Sequence, residues 1–140
     1  MNVYLDFDGN CREAFEFYRS IFGGEFAALQ TYADGPEDMA ASAQADRIMH
    51  VSLPLGDAML MGSDTWVEAD SPPLVVGTNF SIALPVTGRA QADAWFAGLA
   101  AQGQVMMPLQ ETFWGAYFGR LRDRYGITWM FNYDLSLERE

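Results

Sequence analysis

At 140 residues, half of them apolar, the chain has enough material for one domain core or two small fused modules, and is too apolar to be disordered. Eight basic against 19 acidic residues leave a formal charge of −11, which repels phosphate backbones and anionic membrane surfaces, so neither nucleic acid nor membrane is an expected partner. The single cysteine, Cys11, excludes an intrachain disulfide, no apolar run nears the roughly 20 residues of a membrane span, and MNVYLDFDG lacks a basic-then-apolar leader, so a cytoplasmic protein is expected.

In chain order, NVYLDFDG alternates Val3, Leu5 and Phe7 with Tyr4, Asp6 and Asp8, the period-two pattern of a strand with one buried face. A helix follows, with Asn10 as N-cap, an apolar stripe of Ala14, Phe15, Phe17, Tyr18, Ile21 and Phe22, and Gly23-Gly24 as its stop. Residues 33–46 are polar and small, and read as a mobile loop in which Glu37, Asp38 and Asp46 serve solubility. HVSLPLGDAMLMGSD then reads as two strands about a turn at Gly56. Residues 80–103 repeat the opening plan, with FSIALPV as strand, Ala92, Trp95, Phe96 and Leu99 as helix stripe and Gly103 as stop. RLRDRYGITWMFNYD repeats the second part about Gly126, which aligns His50 with Arg120, Leu60 with Met130 and Asp64 with Asp134 at a constant spacing of 126 − 56 = 70. The expected organisation is a module at 1–64, a linker at 65–79 and a second module at 80–140. Each module alone leaves one sheet face uncovered, so two are needed to enclose a core or cavity.

Three ordered blocks, DFDGNCREAFEFYRSIFGGEF, IMHVSLPLGDAMLMGSD and PLQETFWGAYFGRLRDRYGITWMFNYD, resemble the PhnB-like branch of the vicinal oxygen chelate superfamily, which includes glyoxalase I, bleomycin-resistance proteins and extradiol dioxygenases. The resemblance implies an α+β fold in which two tandem βαβββ modules form a U-shaped mixed sheet around a central cavity, and it implies a homodimer. Metal-using members place four ligands on the first and last strands of their modules. Carried onto this chain, those positions are Asn2, Leu60, Ser81 and Met130, a set short of the N and O donors a divalent ion needs. The expectation is therefore a cavity without metal or cofactor.

Alternation assigns candidate residues to the cavity side: Tyr4 and Asp6 on the first strand, Ser81 and Ala83 on its repeat, His50 and Ser52 on the strand before Gly56, and Met130 and Asn132 on the last. Residues 111–134 hold eight aromatics and three arginines. Several of these rings are core, while Trp114 and Tyr117 are candidate cavity walls beside the flexible Gly115. His50, the only histidine, is either a proton-exchanging group or a hydrogen-bonded structural residue. Arg120 either joins it in holding a polar or anionic group or, with Arg122, pairs with surface acids such as Asp123. Cys11, at a helix start, has the position of a stabilised thiolate but no adjacent histidine. Asp64 and Asp134 read as solvated strand-end acids.

The resemblance to bleomycin-resistance proteins implies binding or sequestration of a small organic molecule, with the acidic surface favouring a cationic or amphipathic guest. The alternative is a metal-dependent lyase, isomerase or dioxygenase with an unusual ligand set such as His50 with Asp6 or Asp64. A methyltransferase activity, attached to some chains of this branch, lacks a glycine-rich strand-to-helix turn to seat a nucleotide-like cofactor.

Overall fold

Each half of the chain folds as strand, helix and three strands. The computed structural model describes residues 1–139 and divides at Val75/Val76 into two units. The first contains β1 (Val3–Phe7), α1 (Cys11–Phe22), β2 (Ala28–Thr31), the short α2 (Glu37–Ala40), β3 (Ile48–Leu55) and β4 (Ala58–Asp64). Its sheet has the order β1-β4-β3-β2, with β1 parallel to β4 and the other pairs antiparallel. The second contains β5 (Ile82–Leu84), α3 (Arg89–Ala100), β6 (Gln104–Glu111), β7 (Ala116–Arg122) and β8 (Thr128–Asp134), in the order β5-β8-β7-β6 with the same mixture of directions. Residues 65–81 carry neither strand nor helix. Among the described residues no helix is long and apolar enough to cross a membrane.

The two periodicities account for how helix and sheet meet. Leu5 and Phe7 of β1 are buried, and so are Cys11, Ala14, Phe15 and Tyr18 along one stripe of α1. Phe7 meets Phe15 edge to face at 6.1 Å between ring centroids, and Phe15 meets Tyr18 in the same way at 5.6 Å. Full burial of a ring such as Phe15 contributes about 1.5–3 kcal/mol. In the second unit Ala92, Phe96 and Leu99 of α3 cover Trp129 and Phe131 of β8, with Phe96 edge to face on Phe131 at 5.6 Å. Both helices come this close because a glycine lies beneath them. A Cβ on Gly62 would stand 2.7 Å from Phe15, and one on Gly119 would stand 2.9 Å from Phe96.

Three features differ from the sequence reading. Asn10 precedes α1 but makes no side-chain cap. The cap is Asp64, only 2% exposed, which ends β4: its Oδ1 accepts the backbone N–H groups of Gly9 at 2.8 Å and Cys11 at 3.0 Å, and its Oδ2 accepts that of Ile48 at 2.8 Å. Asp64 is thus no solvated strand-end acid, whereas Asp134 is exposed and accepts the N–H of Ser136. Secondly, the stretch expected as a mobile loop is folded into a 3-10 turn at Tyr32–Asp34 and α2. Arg47 ties it to Asp8 at 2.7 Å, and Gln44 exchanges two hydrogen bonds with the backbone of Val67.

Thirdly, the repeat register shifts. Leu5, Val51 and Gly62 are strand-mates in the first sheet, as Leu84, Gly119 and Phe131 are in the second. Phe118 therefore stands where His50 does, Arg120 where Ser52 does, and Met130 where Met61 does. The constant spacing of 70 fails because the hairpins differ. Leu55 and Ala58 pair across Gly56-Asp57, whereas the second hairpin closes with a backbone bond from Asp123 N–H to Ile127 C=O. Its turn is one residue longer.

Candidate ligand-binding faces of the two sheets

Because α1 takes one face of the first sheet, Tyr4, Asp6, His50, Ser52 and Met61 share the other. Tyr4 and Met61 are strand partners, as are Ser52 and Met61. The Tyr4 hydroxyl lies 3.4 Å from His50 Nδ1, a hydrogen bond whose donor depends on the imidazole tautomer, and the two rings stack at 5.9 Å. Tyr4 is 48% exposed, Asp6 is exposed and Ser52 is buried. His50 therefore has a positioned partner that the sequence did not disclose.

In the second sheet Phe118, Arg120, Met130 and Asn132 share the face away from α3. Ser81 lies immediately before β5, half-buried, and Asn132 is exposed opposite Phe118. The turn between β6 and β7 adds an aromatic shelf: Trp114 meets Phe118 edge to face at 5.9 Å, and Phe113 meets Trp114 at 5.0 Å. Trp114 is 55% and Phe113 98% exposed. Tyr117, expected beside Trp114, points the other way. Its neighbour in parity, Gly119, faces Phe96, and its hydroxyl donates to Asp93 of α3 at 2.6 Å. That bond, then burial, pushes the Tyr117 phenol above its ordinary range. The Arg89 guanidinium lies over the Tyr117 ring at 5.0 Å and binds Glu111 and Glu138. Tyr117 belongs to this ion-pair cluster beside α3.

Asp123, expected as a surface acid, is not at the surface. Asp123 is buried, its Oδ1 accepting the N–H groups of Tyr125 and Ile127 and its Oδ2 the indole N–H of Trp129 at 2.8 Å. A turn acid is thereby the clamp of the longer hairpin. Cys11 is fully buried, and burial followed by the Asp64 charge pushes its thiol far up, so it has none of the properties of a stabilised thiolate.

The donor set does not fit the divalent ion that some members of this fold hold. Leu60 faces α1 and is buried, the Asn2 carboxamide oxygen is taken by the N–H of Met59 at 3.0 Å, and the far-face neighbours on the first and last strands are Tyr4 with Met61 and Ala83 with Met130. Asp64, a suggested partner of His50, spends both oxygens on backbone N–H groups. Among the described residues no three His, Cys, Asp or Glu side chains gather as a metal-binding group.

Two mixed sheets of βαβββ topology define a protein class, and the family comparison agrees: residues 2–131 match the glyoxalase/bleomycin resistance protein/dioxygenase superfamily, to which the chain belongs. Within it the chain is similar to protein PA1353 from Pseudomonas aeruginosa, whose crystal structure is 40% identical with a TM-score of 0.83 over 96% of each chain. It is also similar to protein YjdN of Escherichia coli K12, 28% identical over 94% of this chain and 93% of that one. A PhnB protein from Bacillus cereus, 24% identical over 95% of this chain and 98% of its own, shares the fold with a TM-score of 0.75.

Proposed function

We propose that the protein binds a small organic molecule against the helix-free face of its second sheet, without a metal ion. The observation that carries this reading is the shelf of Phe113, Trp114 and Phe118, three rings in edge-to-face contact with two of them more than half exposed. Large rings left in water at a turn forgo the stabilisation of burial, and an apolar guest restores it. Superfamily membership supports the same reading, since the bleomycin-resistance members lend the family part of its name.

Isothermal titration against a panel of cationic, neutral and anionic aromatic compounds tests it. Heat from at least one class, lost in Trp114→Ala, is the expected result, and no heat from any compound sinks the reading. We further propose that the chain works as a homodimer in the cytoplasm. The exposed Val105 and Met106 on the edge strand β6 support assembly, and light scattering at micromolar concentration checks it.

A further inference from the structure

Three of the eight arginines of this acidic chain are held in ion pairs. Arg19 pairs with Glu16 and Glu25, Arg47 with Asp8, and Arg89 with Glu111 and Glu138. Arg120 differs. In the middle of β7, half-buried, Arg120 makes no hydrogen bond or ion pair with any described residue; its Nε is buried without a partner, as is that of Arg47, but Arg47 has its Nη2 on Asp8. With 19 carboxylates in the chain, a guanidinium left unpaired in the centre of a sheet is a cost the fold does not need to bear. Its cross-strand neighbours explain the isolation. Met107 on β6 and Met130 on β8 stand directly opposite, and neither thioether is more than a weak acceptor.

We propose that Arg120 is the anchor for an acidic group on the ligand, so that the guest is an aromatic or otherwise apolar organic anion, a carboxylate above all. This rests on the reading of the second sheet as the binding face. Phe118 lies two residues before Arg120 on the same face, so the Cα atoms that carry the guanidinium and the ring of the aromatic shelf are roughly 7 Å apart along the strand. A body lying on Trp114 and Phe118 thus presents its acid end to Arg120. The planar fork of Nε–H and Nη–H donates to two carboxylate oxygens side by side, which a lysine would not match. Met107 and Met130 are flexible enough to move aside for the incoming oxygens. Arg122, next along this face, is turned to the following loop, where it lies beside Gly126, and leaves Arg120 as the anchor. The overall charge of −11 opposes anions at long range, but it is screened beyond about 8 Å in physiological salt, whereas contact with the guanidinium is not.

Isothermal titration with three acid–amide pairs, benzoate, 2-naphthoate and indole-3-acetate against their carboxamides, separates the anchor from the shelf. At least one acid is expected to bind ten-fold or more tighter than its amide, a difference of about 1.4 kcal/mol. Arg120→Met should reduce that preference below two-fold, while Arg12→Met, on the exposed side of α1, leaves it intact. The side-chain Nε–H resonance of Arg120 should shift on addition of the acid and not of the amide, which reads the contact in the unaltered protein. Amides that bind as tightly as their acids, or a preference that survives Arg120→Met, overturn the anchor and leave the aromatic shelf standing. No binding by any acid or amide overturns both.

Discussion

Asp64→Asn is the sharpest test of how the first module holds together. The carboxylate is 2% exposed and accepts three backbone N–H groups, two from the β1–α1 junction and one from the start of β3. The amide keeps one acceptor oxygen and turns an N–H toward a donor. At least one bond is therefore lost, leaving a buried N–H that costs about 1–3 kcal/mol, and the others fall from charge-assisted to neutral strength at about 1 kcal/mol each. The expected loss is about 4 kcal/mol, a large part of the 5–15 kcal/mol that is typical of a domain. With a urea dependence of about 2 kcal/mol per molar, the unfolding midpoint followed by tryptophan fluorescence should fall by about 2 M. Cys11, whose own N–H is one of the three donors, gives a local readout, since its buried thiol should react faster with a thiol reagent in the variant. Asp134→Asn, at an exposed position bonded locally to Ser136, should leave the midpoint in place. If Asp64→Asn unfolds within about 0.5 M of the parent, the carboxylate is not the cap and clamp described here.

Other outcomes follow from the same contacts. Gly119→Ala places a methyl 2.9 Å from Phe96 and from Leu109, and overpacking of this kind should cost about 1–3 kcal/mol in urea unfolding. The Tyr117 phenol is held up by Asp93, so in an absorbance titration Tyr117→Phe should remove a late-ionising component and leave the early ones. Its contribution to stability is complete below the ordinary phenol range and drains away as pH rises through the raised value. Cys11 has the same sign: the folded protein keeps the thiol neutral, so stability is intact at pH 7 and falls above the ordinary thiol range. Urea midpoints at pH 7 and 10 should therefore differ more in the parent than in Cys11→Ala.

Local periodicity made much of the architecture readable. The alternation around Leu5 and Phe7 and the stripe through Ala14, Phe15 and Tyr18 are single-element patterns, and the faces they predict are those observed. Interactions that join distant segments were not readable. Nothing near Asp64 in sequence tells that the Gly9, Cys11 and Ile48 N–H groups converge on it, and nothing near Asp123 reveals that Trp129 turns its indole N–H back to it. The Tyr4–His50 contact is of the same kind. Tyr117 is grouped with Trp114 in the sequence because both lie close to Gly115, but it already lies within β7, where alternation puts it on the face opposite to Arg120. Arg120 was singled out, but by a false equivalence with His50. Its interest lies in having no partner among the described residues, which only the three-dimensional arrangement discloses.

Divergence between the modules bears on what kind of guest they suit. The helix-covered sides of both sheets do the same task with similar parts, a phenylalanine over a glycine in each. The opposite sides do not correspond: His50 stands in the place of Phe118, Ser52 in that of Arg120, and Tyr4 in that of Ala83. A site that grips a symmetric ion from repeated positions keeps similar donors at both, since each must supply a lone pair. Here one position pair holds two thioethers, Met61 and Met130, and the others have exchanged chemistry altogether. Such exchange removes nothing that an unsymmetrical organic molecule lying on one face needs, because its two ends differ and call for unlike partners. The aromatic shelf and the Arg120 guanidinium on the second sheet are two such unlike features, with Phe118 and Arg120 on a single strand.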